Sequence, residues 1–217
     1  MTASKAWDWE KETGSFWLNP SEESYYLAQR WKEKGYQSIL DFGCGLGRHS
    51  VFFAKNGFAV SAFDLSITGA KHLEQWAAND HLSIDVSVAD MLELPYPNQS
   101  FDAIFAYHVI SHTDSSGIKK IIDEISRVLK PDGELYMTLC SKETWSYRDA
   151  GYPKLDDNTV TKTDEGPEKG IPHFYVDLDD ILSLLSNFTI ESIRHIDDCY
   201  FSGQRQNSKH YFILAKK

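Results

Sequence analysis

The chain has 217 residues, 41% hydrophobic and 25% charged, with a formal net charge of −10 at pH 7. That is enough chain for a single domain with a sizeable core, and the acidic balance weighs against a nucleic-acid partner, whose phosphates are held mainly by lysine and arginine. No apolar run approaches the roughly 20 residues a membrane helix needs, and the first twelve residues lack a basic-then-apolar signal pattern. The composition therefore points to a cytoplasmic protein, a small-molecule substrate and no membrane. Cys44, Cys140 and Cys199 stand far apart, and an odd number in a reducing compartment predicts free thiols rather than disulfides or a zinc site.

Residues 1 to 36 are rich in aromatics: Trp7, Trp9, Phe16, Trp17, Tyr25, Tyr26 and Trp31. Asn19-Pro20-Ser21-Glu22 is a helix start, with proline at the first helical position and an acid in the first turn; the helix is expected from Pro20 to Lys34, ended by Gly35. Its aromatics read first as packing against a sheet, since large rings are core material, and second as a lid over a ligand. Next, the apolar Ile39-Leu40 enters Asp41, then Gly43, Gly45 and Gly47 at alternate positions, then a helical spacing from Arg48 to Lys55. Glycine lets a ligand lie against the main chain, and the free N–H groups of a helix start favour a carboxylate or phosphate. A dinucleotide fingerprint needs its third glycine at position 48, where Arg48 stands.

Phe58 to Phe63 is a buried strand ending at Asp64. Ser66 caps a helix carrying Ile67, Ala70, Leu73 and Ala77 on one face, and Ile84 to Ala89 is a strand ending at Asp90. Open parallel sheets bind ligands at the carboxyl ends of their strands, so three acids repeated there suit a ligand with hydroxyls and amines. Phe101 to Tyr107 is a fourth strand, with His108-Val109-Ile110-Ser111-His112 at its exit. Ile118, Ile121, Ile122, Ile125 and Leu129 mark the clearest amphipathic helix. Lys130-Pro131-Asp132-Gly133 turns into a fifth strand, Glu134 to Cys140. Ser141 to Pro172 shows no apolar period and reads as a substrate loop or flap. A helix capped by Asp177 follows, with Leu178, Ile181, Leu182 and Leu185, and the chain closes on an antiparallel pair, Phe188 to Ile196 and Lys209 to Lys216.

Asp41-Phe42-Gly43-Cys44-Gly45-Leu46-Gly47 resembles the acid-x-G-x-G-x-G signature of class I S-adenosylmethionine-dependent methyltransferases. Phe101-Asp102-Ala103-Ile104, Val109-Ile110-Ser111-His112 and Arg127-Val128-Leu129-Lys130-Pro131-Asp132-Gly133 are similar to the small-molecule, ubiquinone-biosynthesis-like branch. By motif the resemblance covers about residues 36 to 140, and by topology alone the closing strands. It implies an α/β, Rossmann-like doubly wound seven-stranded sheet, mostly parallel with an antiparallel closing strand. One methyltransferase domain over 1–217 would comprise an N-terminal helical lid (1–35), a cofactor core (36–140), a variable substrate loop (141–176), and a closing helix and strand pair (177–217). The implied cofactor is S-adenosyl-L-methionine, bound by Asp41, Gly43, Gly45, Gly47, Asp64, Leu65, Asp90, Met91 and Tyr107. Asp64 would accept the ribose hydroxyls on its two oxygens, Asp90 and Met91 would flank the adenine, and Asp41 would act near the methionyl amine. Each acid alone has a plainer reading as a capping or turn aspartate.

A sulfonium donor is already activated, so the protein must chiefly align the reactants and exclude water. A base is needed only for a protonated acceptor. His108 and His112 are the catalytic candidates, with His173 behind them. The four-residue spacing of His108 and His112 suits metal on a helix, but no third ligand is evident, so no metal site is expected. Trp17, Tyr25 and Tyr26 read either as core or as rings facing the sulfonium. Tyr107-His108-Val109-Ile110 stands where enzymes methylating amines of bases or glutamine carry Asn/Asp-Pro-Pro-aromatic, which argues against that chemistry. The expectation is a monomeric or homodimeric enzyme methylating a small molecule. The alternative is a protein that binds S-adenosylmethionine for a different transfer or for regulation.

Overall fold

The computed structural model describes residues 4–12, 14–200, 203 and 206–217; residues 1–3, 13, 201, 202, 204 and 205, which include part of the 202–208 connection, lie outside the described residues. Two 3-10 turns, Trp9–Lys11 and Ser15–Leu18, precede α1 (Glu22–Glu33). There follow β1 (Ser38–Phe42), α2 (Arg48–Lys55), β2 (Ala59–Asp64), α3 (Ile67–Asn79), β3 (Ile84–Val88), β4 (Phe101–Ala106), α4 (Ser115–Val128) and β5 (Leu129–Ser141). The chain then runs through α5 (Trp145–Arg148), β6 (Lys154–Asp156), β7 (Thr159–Thr161), β8 (Pro172–Val176), α6 (Leu178–Leu184), β9 (Thr189–Asp198) and β10 (Ser208–Lys216).

The sheet order β3-β2-β1-β4-β5 is parallel throughout. β10 joins β5 antiparallel, and β9 joins β10 antiparallel. These are the seven expected strands with one reversed. Three further strands come from the stretch read as loop: β8 adds parallel to the end of β5 at Cys140 and Ser141, and β7 and β6 follow it antiparallel. They escape the sequence because β6 and β7 are three residues long and β8 is buried at every position, leaving no period-2 alternation to read.

Helices cover both faces, which is how a parallel sheet buries its strands. Leu40 and Phe42 of β1 pack with Ile118, Ile121, Ile122 and Ile125 of α4 and with Ile181 of α6, whereas Ile39 packs with Leu27 and Trp31 of α1 and Phe53 of α2. Leu129 is not the last residue of α4: it opens β5 opposite Phe101, and residues 130–133 are an irregularity taken up before Glu134 pairs with Ala103. α1 begins at Glu22, two residues later than expected. The backbone N–H of Ser21 donates to Nε2 of His49 at 3.1 Å, so the preceding turn is tied to α2. All three cysteines are free. No helix among the described residues is long and apolar enough to cross a membrane.

α1 is locked to the sheet by a buried acid. Glu134 at the start of the straight part of β5 has no exposed surface. It accepts from Nε of Arg30 at 2.9 Å, from Nε1 of Trp31 at 3.0 Å and from the Lys34 ammonium. Burial alone would push this carboxyl up; the hydrogen bonds from Arg30 and Lys34 outweigh it and hold it below the ordinary 4.5. An acid depressed on folding contributes stability that is complete above its unfolded value and is lost as pH falls through the folded one. Glu134→Gln is therefore expected to lower stability at neutral pH by about 3 kcal/mol, or roughly 6–12 °C in Tm. Melting curves should show the gap to wild type shrinking below about pH 4.5; a gap constant down to pH 3 would refute the account.

Candidate active site

Parallel register puts the tips of β1, β2 and β3 on one edge: Phe42 pairs with Phe63, and Asp64 with Val88. The glycine turn begins beyond Phe42, where Cys44 N–H donates to Phe63 O at 2.8 Å and Gly47 N–H to Cys44 O at 2.9 Å. Gly47, at φ +95, is the residue before α2, and a Cβ there would stand 2.5 Å from Cδ1 of Leu73 on α3. At Gly45, with φ +54, a Cβ would stand 2.5 Å from Cζ2 of Trp9. In this structure the close approach to the glycine backbone is thus made by an indole ring of the protein itself.

A cavity of about 410 Å³ opens at this edge, within the range of small-molecule sites. Gly43, Gly45, Asp64, Tyr107, His108 and His112 are on its wall. Asp41, Gly47, Leu65, Asp90 and Met91 are not. Asp41 lies buried beneath the turn and accepts from Ser50 Oγ. Burial pushes its carboxyl up to about 6 against the lowering effect of the Ser50 bonds. Asp90 closes a turn by accepting the Leu92 N–H at 2.9 Å, and Met91 packs on the larger core cluster. Asp64 accepts from Gly45 N–H and from Ser66 N–H, each at 2.8 Å and on separate oxygens. Burial raises its pKa and these backbone bonds oppose the rise. Each oxygen keeps a second lone pair for a ligand hydroxyl.

The N-terminal segment closes over this edge. Trp7, Trp9 and Trp17 pack on one another at 5.4 to 5.7 Å. Arg48 holds them down: its Nη1 donates to the carbonyls of Phe16 and Asn19 at 3.1 and 3.2 Å, and its guanidinium lies 5.2 Å from the Trp17 ring and 5.7 Å from that of Tyr107. Such contacts stabilise a desolvated cation. Tyr25 and Tyr26, in contrast, are 58% and 62% exposed. They are neither core nor part of the wall, because α1 turns its Leu27, Ala28 and Trp31 side to the sheet. The indole Nε1 atoms of Trp7 and Trp9 are buried with no hydrogen-bond partner. A buried donor without an acceptor costs about 1–3 kcal/mol. Together with the spare lone pairs of Asp64, these donors fit a ligand carrying both acceptors and hydroxyls, as S-adenosylmethionine does.

The opposite part of the wall is a histidine cluster. His108, with φ +53, donates its backbone N–H to Thr138 Oγ1 at 2.7 Å; burial, then the neighbouring His210, keep its imidazole pKa well below the ordinary value. The segment 107–114 is not helical, so His108 and His112 do not form the expected helical pair. Instead Nε2 of His112 lies 3.6 Å from Oε1 of Glu168, and Nε2 of His173 lies 3.1 Å from the same oxygen. Cys140 Sγ is 3.6 Å from Nε2 of His210, and Lys162 pairs with Glu168. Glu168, Lys162 and His210 gave no signal in the sequence. Glu168 sits in a polar run without period, and only the β7–β8 pairing brings it to His112.

With the geometry in place, comparison with known proteins agrees. Residues 39–133 match a family model described as a methyltransferase domain. Over 99 residues the chain is 32% identical to the uncharacterized methyltransferase YodH of Bacillus subtilis, covering 46% of this chain and 41% of that one. With cycloartenol-C-24-methyltransferase of Arabidopsis thaliana it shares 32% over 134 residues, covering 50% and 39%. The chain thus spans about two fifths of the length of these curated relatives. Its fold matches a solved S-adenosylmethionine-dependent methyltransferase of Methanosarcina mazei with TM-score 0.71 at 24% identity, over 83% of this chain and 92% of that one.

The raised pKa of Asp41 gives a test with a defined sign. An acid whose pKa rises on folding binds its proton more tightly in the folded state, so ionising it removes stability as pH climbs from about 4 to about 6. Asp41→Asn keeps an acceptor for Ser50 and removes the charge. It should be more stable than wild type by about 3 kcal/mol at pH 8 and by little or nothing at pH 4, read from urea midpoints. An equal difference at both pH values would show that Asp41 is not a strained carboxylate.

Proposed function

We propose that this protein transfers a methyl group from S-adenosylmethionine to a small-molecule acceptor held in the same cavity. The observation that carries the reading is that one cavity of about 410 Å³ joins the glycine turn and Asp64 on one side to the histidine cluster on the other. The bound cofactor supplies a methyl on a sulfonium, already activated toward displacement. Gly43 and Gly45 present main chain to its amino-acid part, with Asp41 acting from beneath the turn. Asp64 takes the ribose hydroxyls, while Leu65, Asp90 and Met91 flank the adenine beyond the described wall. Gly47 serves by shaping the turn, and Tyr107 with Arg48 closes the site.

Residues 1–35 act as the lid and 141–176 as the acceptor wall. The Trp9 ring leaves Gly45 when the cofactor enters, and its Nε1 then finds an acceptor. His112, whose Nε2 faces both the cavity and Glu168, is placed to take a proton from an acidic acceptor; His108, held neutral by burial, lines the path. Small-molecule acceptors are supported by relatives named for sterol, tocopherol and sarcosine/dimethylglycine methylation. A cytoplasmic monomer or homodimer without a nucleic-acid partner fits the acidic composition.

A labelled-methyl screen over small-metabolite pools tests the reaction directly. Binding tests the site: Asp64→Ala, checked for retained fold by circular dichroism, should bind S-adenosylmethionine about 10- to 100-fold more weakly, the worth of one or two hydrogen bonds to a charged group. Undiminished affinity in calorimetric titration would remove Asp64 from the site. A cofactor consumed without any product heavier by one methylene would favour a different transfer.

A further inference from the structure

We propose that His112, Glu168 and His173 are the protein ligands of one divalent transition-metal ion in the cavity wall, whose open positions take an oxygen of the acceptor. The proposal rests on reading the cavity as the acceptor site. With His112 Nε2 committed to the ion, the ion stands in place of a free imidazole base and lowers the acceptor's hold on its proton. That adds the acceptor's chemical class: a molecule with an ionisable hydroxyl or an enolisable carbonyl.

The donor atoms of the three side chains all lie within 4.8 Å of one another. The two distances to Glu168 Oε1, 3.1 Å from His173 Nε2 and 3.6 Å from His112 Nε2, bracket the separation a metal imposes: bonds of about 2.0–2.1 Å at tetrahedral angles put ligand atoms about 3.4 Å apart. Three different parts of the chain converge to make the set. His112 comes from the exit of β4, Glu168 from the connection between β7 and β8, and His173 from β8.

The surroundings orient the donors as ligands are oriented. Nδ1 of His173 stands 3.0 Å from the carbonyl of Ile171. With the proton on that nitrogen, Nε2 turns a lone pair toward a carboxylate oxygen. Two lone pairs at 3.1 Å repel unless a proton or a metal ion lies between them, and a second imidazole nitrogen faces the same oxygen. A backbone carbonyl on the far nitrogen is also the usual support of a metal-bound histidine. Lys162 Nζ holds the other oxygen of Glu168, which fixes the carboxylate and leaves Oε1 toward the histidines. His173 is buried and its side chain is 2% exposed, while that of His112 is 17% exposed and faces the cavity.

Two imidazoles and one carboxylate suit zinc, iron(II), cobalt or nickel rather than magnesium or calcium, which prefer oxygen ligands. Three protein ligands leave a position open, the arrangement of a catalytic rather than a structural ion. An ion there would lower the pKa of a bound hydroxyl toward neutrality, which is why the acceptor class follows from the ligand set.

The full chain is stripped with a chelator, dialysed against zinc or cobalt(II), and its metal content measured alongside the visible spectrum of the cobalt form. One equivalent should bind, with cobalt bands of low coordination number, and Glu168→Gln and His112→Ala should each weaken binding by at least about 100-fold, more than loss of a supporting partner costs. The partly exposed His112 keeps the test valid if His173→Ala does not fold. No saturable single equivalent, or variants that bind as wild type does, would overturn the site. S-adenosylmethionine affinity is titrated on the same metal-free samples: metal bound without cofactor binding would support the metal site and remove the methyl-transfer reading, whereas cofactor bound without metal would remove the metal site alone.

Discussion

The register of β1 between β2 and β4 is the constraint from which the site follows. β1 is flanked on both sides by parallel strands, with Leu40 opposite Ser61 and Ile104, and both its faces are buried. A slip of one residue would exchange Ile39 with Leu40 and Phe42 between the two helical layers, and would move each apolar side chain to the wrong cluster. With register fixed this firmly, the tips of β1 and β2 and the exit of β4 must share one edge. The glycine turn, Asp64 and the His108–His112 segment meet there, and bonds such as Gly45 N–H to Asp64 and His108 N–H to Thr138 Oγ1 hold them in place.

The buried acid behind the edge is well satisfied: Glu134 accepts from Arg30, Trp31 and Lys34. At the edge, Asp41 and Asp64 are acids raised by burial, and burial lowers the Arg48 pKa. Two indole N–H groups there have no acceptor. A folded chain that leaves indole donors unmet beside buried acids in a cavity is less stable than it could be, and local departures of this sort are expected at functional sites. A ligand with a cationic sulfur, an amine, hydroxyls and a carboxylate would offset several of them together.

Local patterns were legible and assembled ones were not. The isoleucine stripe of α4, the Ser66 cap whose oxygen accepts from Gly69, and the Asp177 cap all depend on residues near one another in the chain, and all are present as read. Leu129 misled because it continues the helical spacing by one residue into a strand. Tyr25 and Tyr26 misled because ring size argues for burial while helix phase decides it, and the phase of α1 is set by Leu27 and Trp31. Asp90 carries the turn role that any single aspartate can have. Glu168 had no local signature at all: its neighbours are polar, and its histidine partners are 56 residues earlier and five later in the chain.

The same division explains why comparison reaches a class and stops. The family match ends at residue 133, and within it lie the glycine turn, Asp64 and His112. Glu168, His173 and His210 all lie beyond that boundary. The half of the cavity assigned to the cofactor is thus built from contiguous sequence and parallel strands, where spacing dictates geometry. The half assigned to the acceptor is built from a strand exit, the β7–β8 connection with β8, and a closing strand that meet only in the folded chain. A change in the 141–176 segment can therefore replace the groups facing an acceptor without disturbing β1, β2 or the turn between them. On the proposed function, such a change would alter the acceptor while leaving the cofactor side intact, and the groups that would carry that difference here are His112, Glu168 and His173 rather than the glycines.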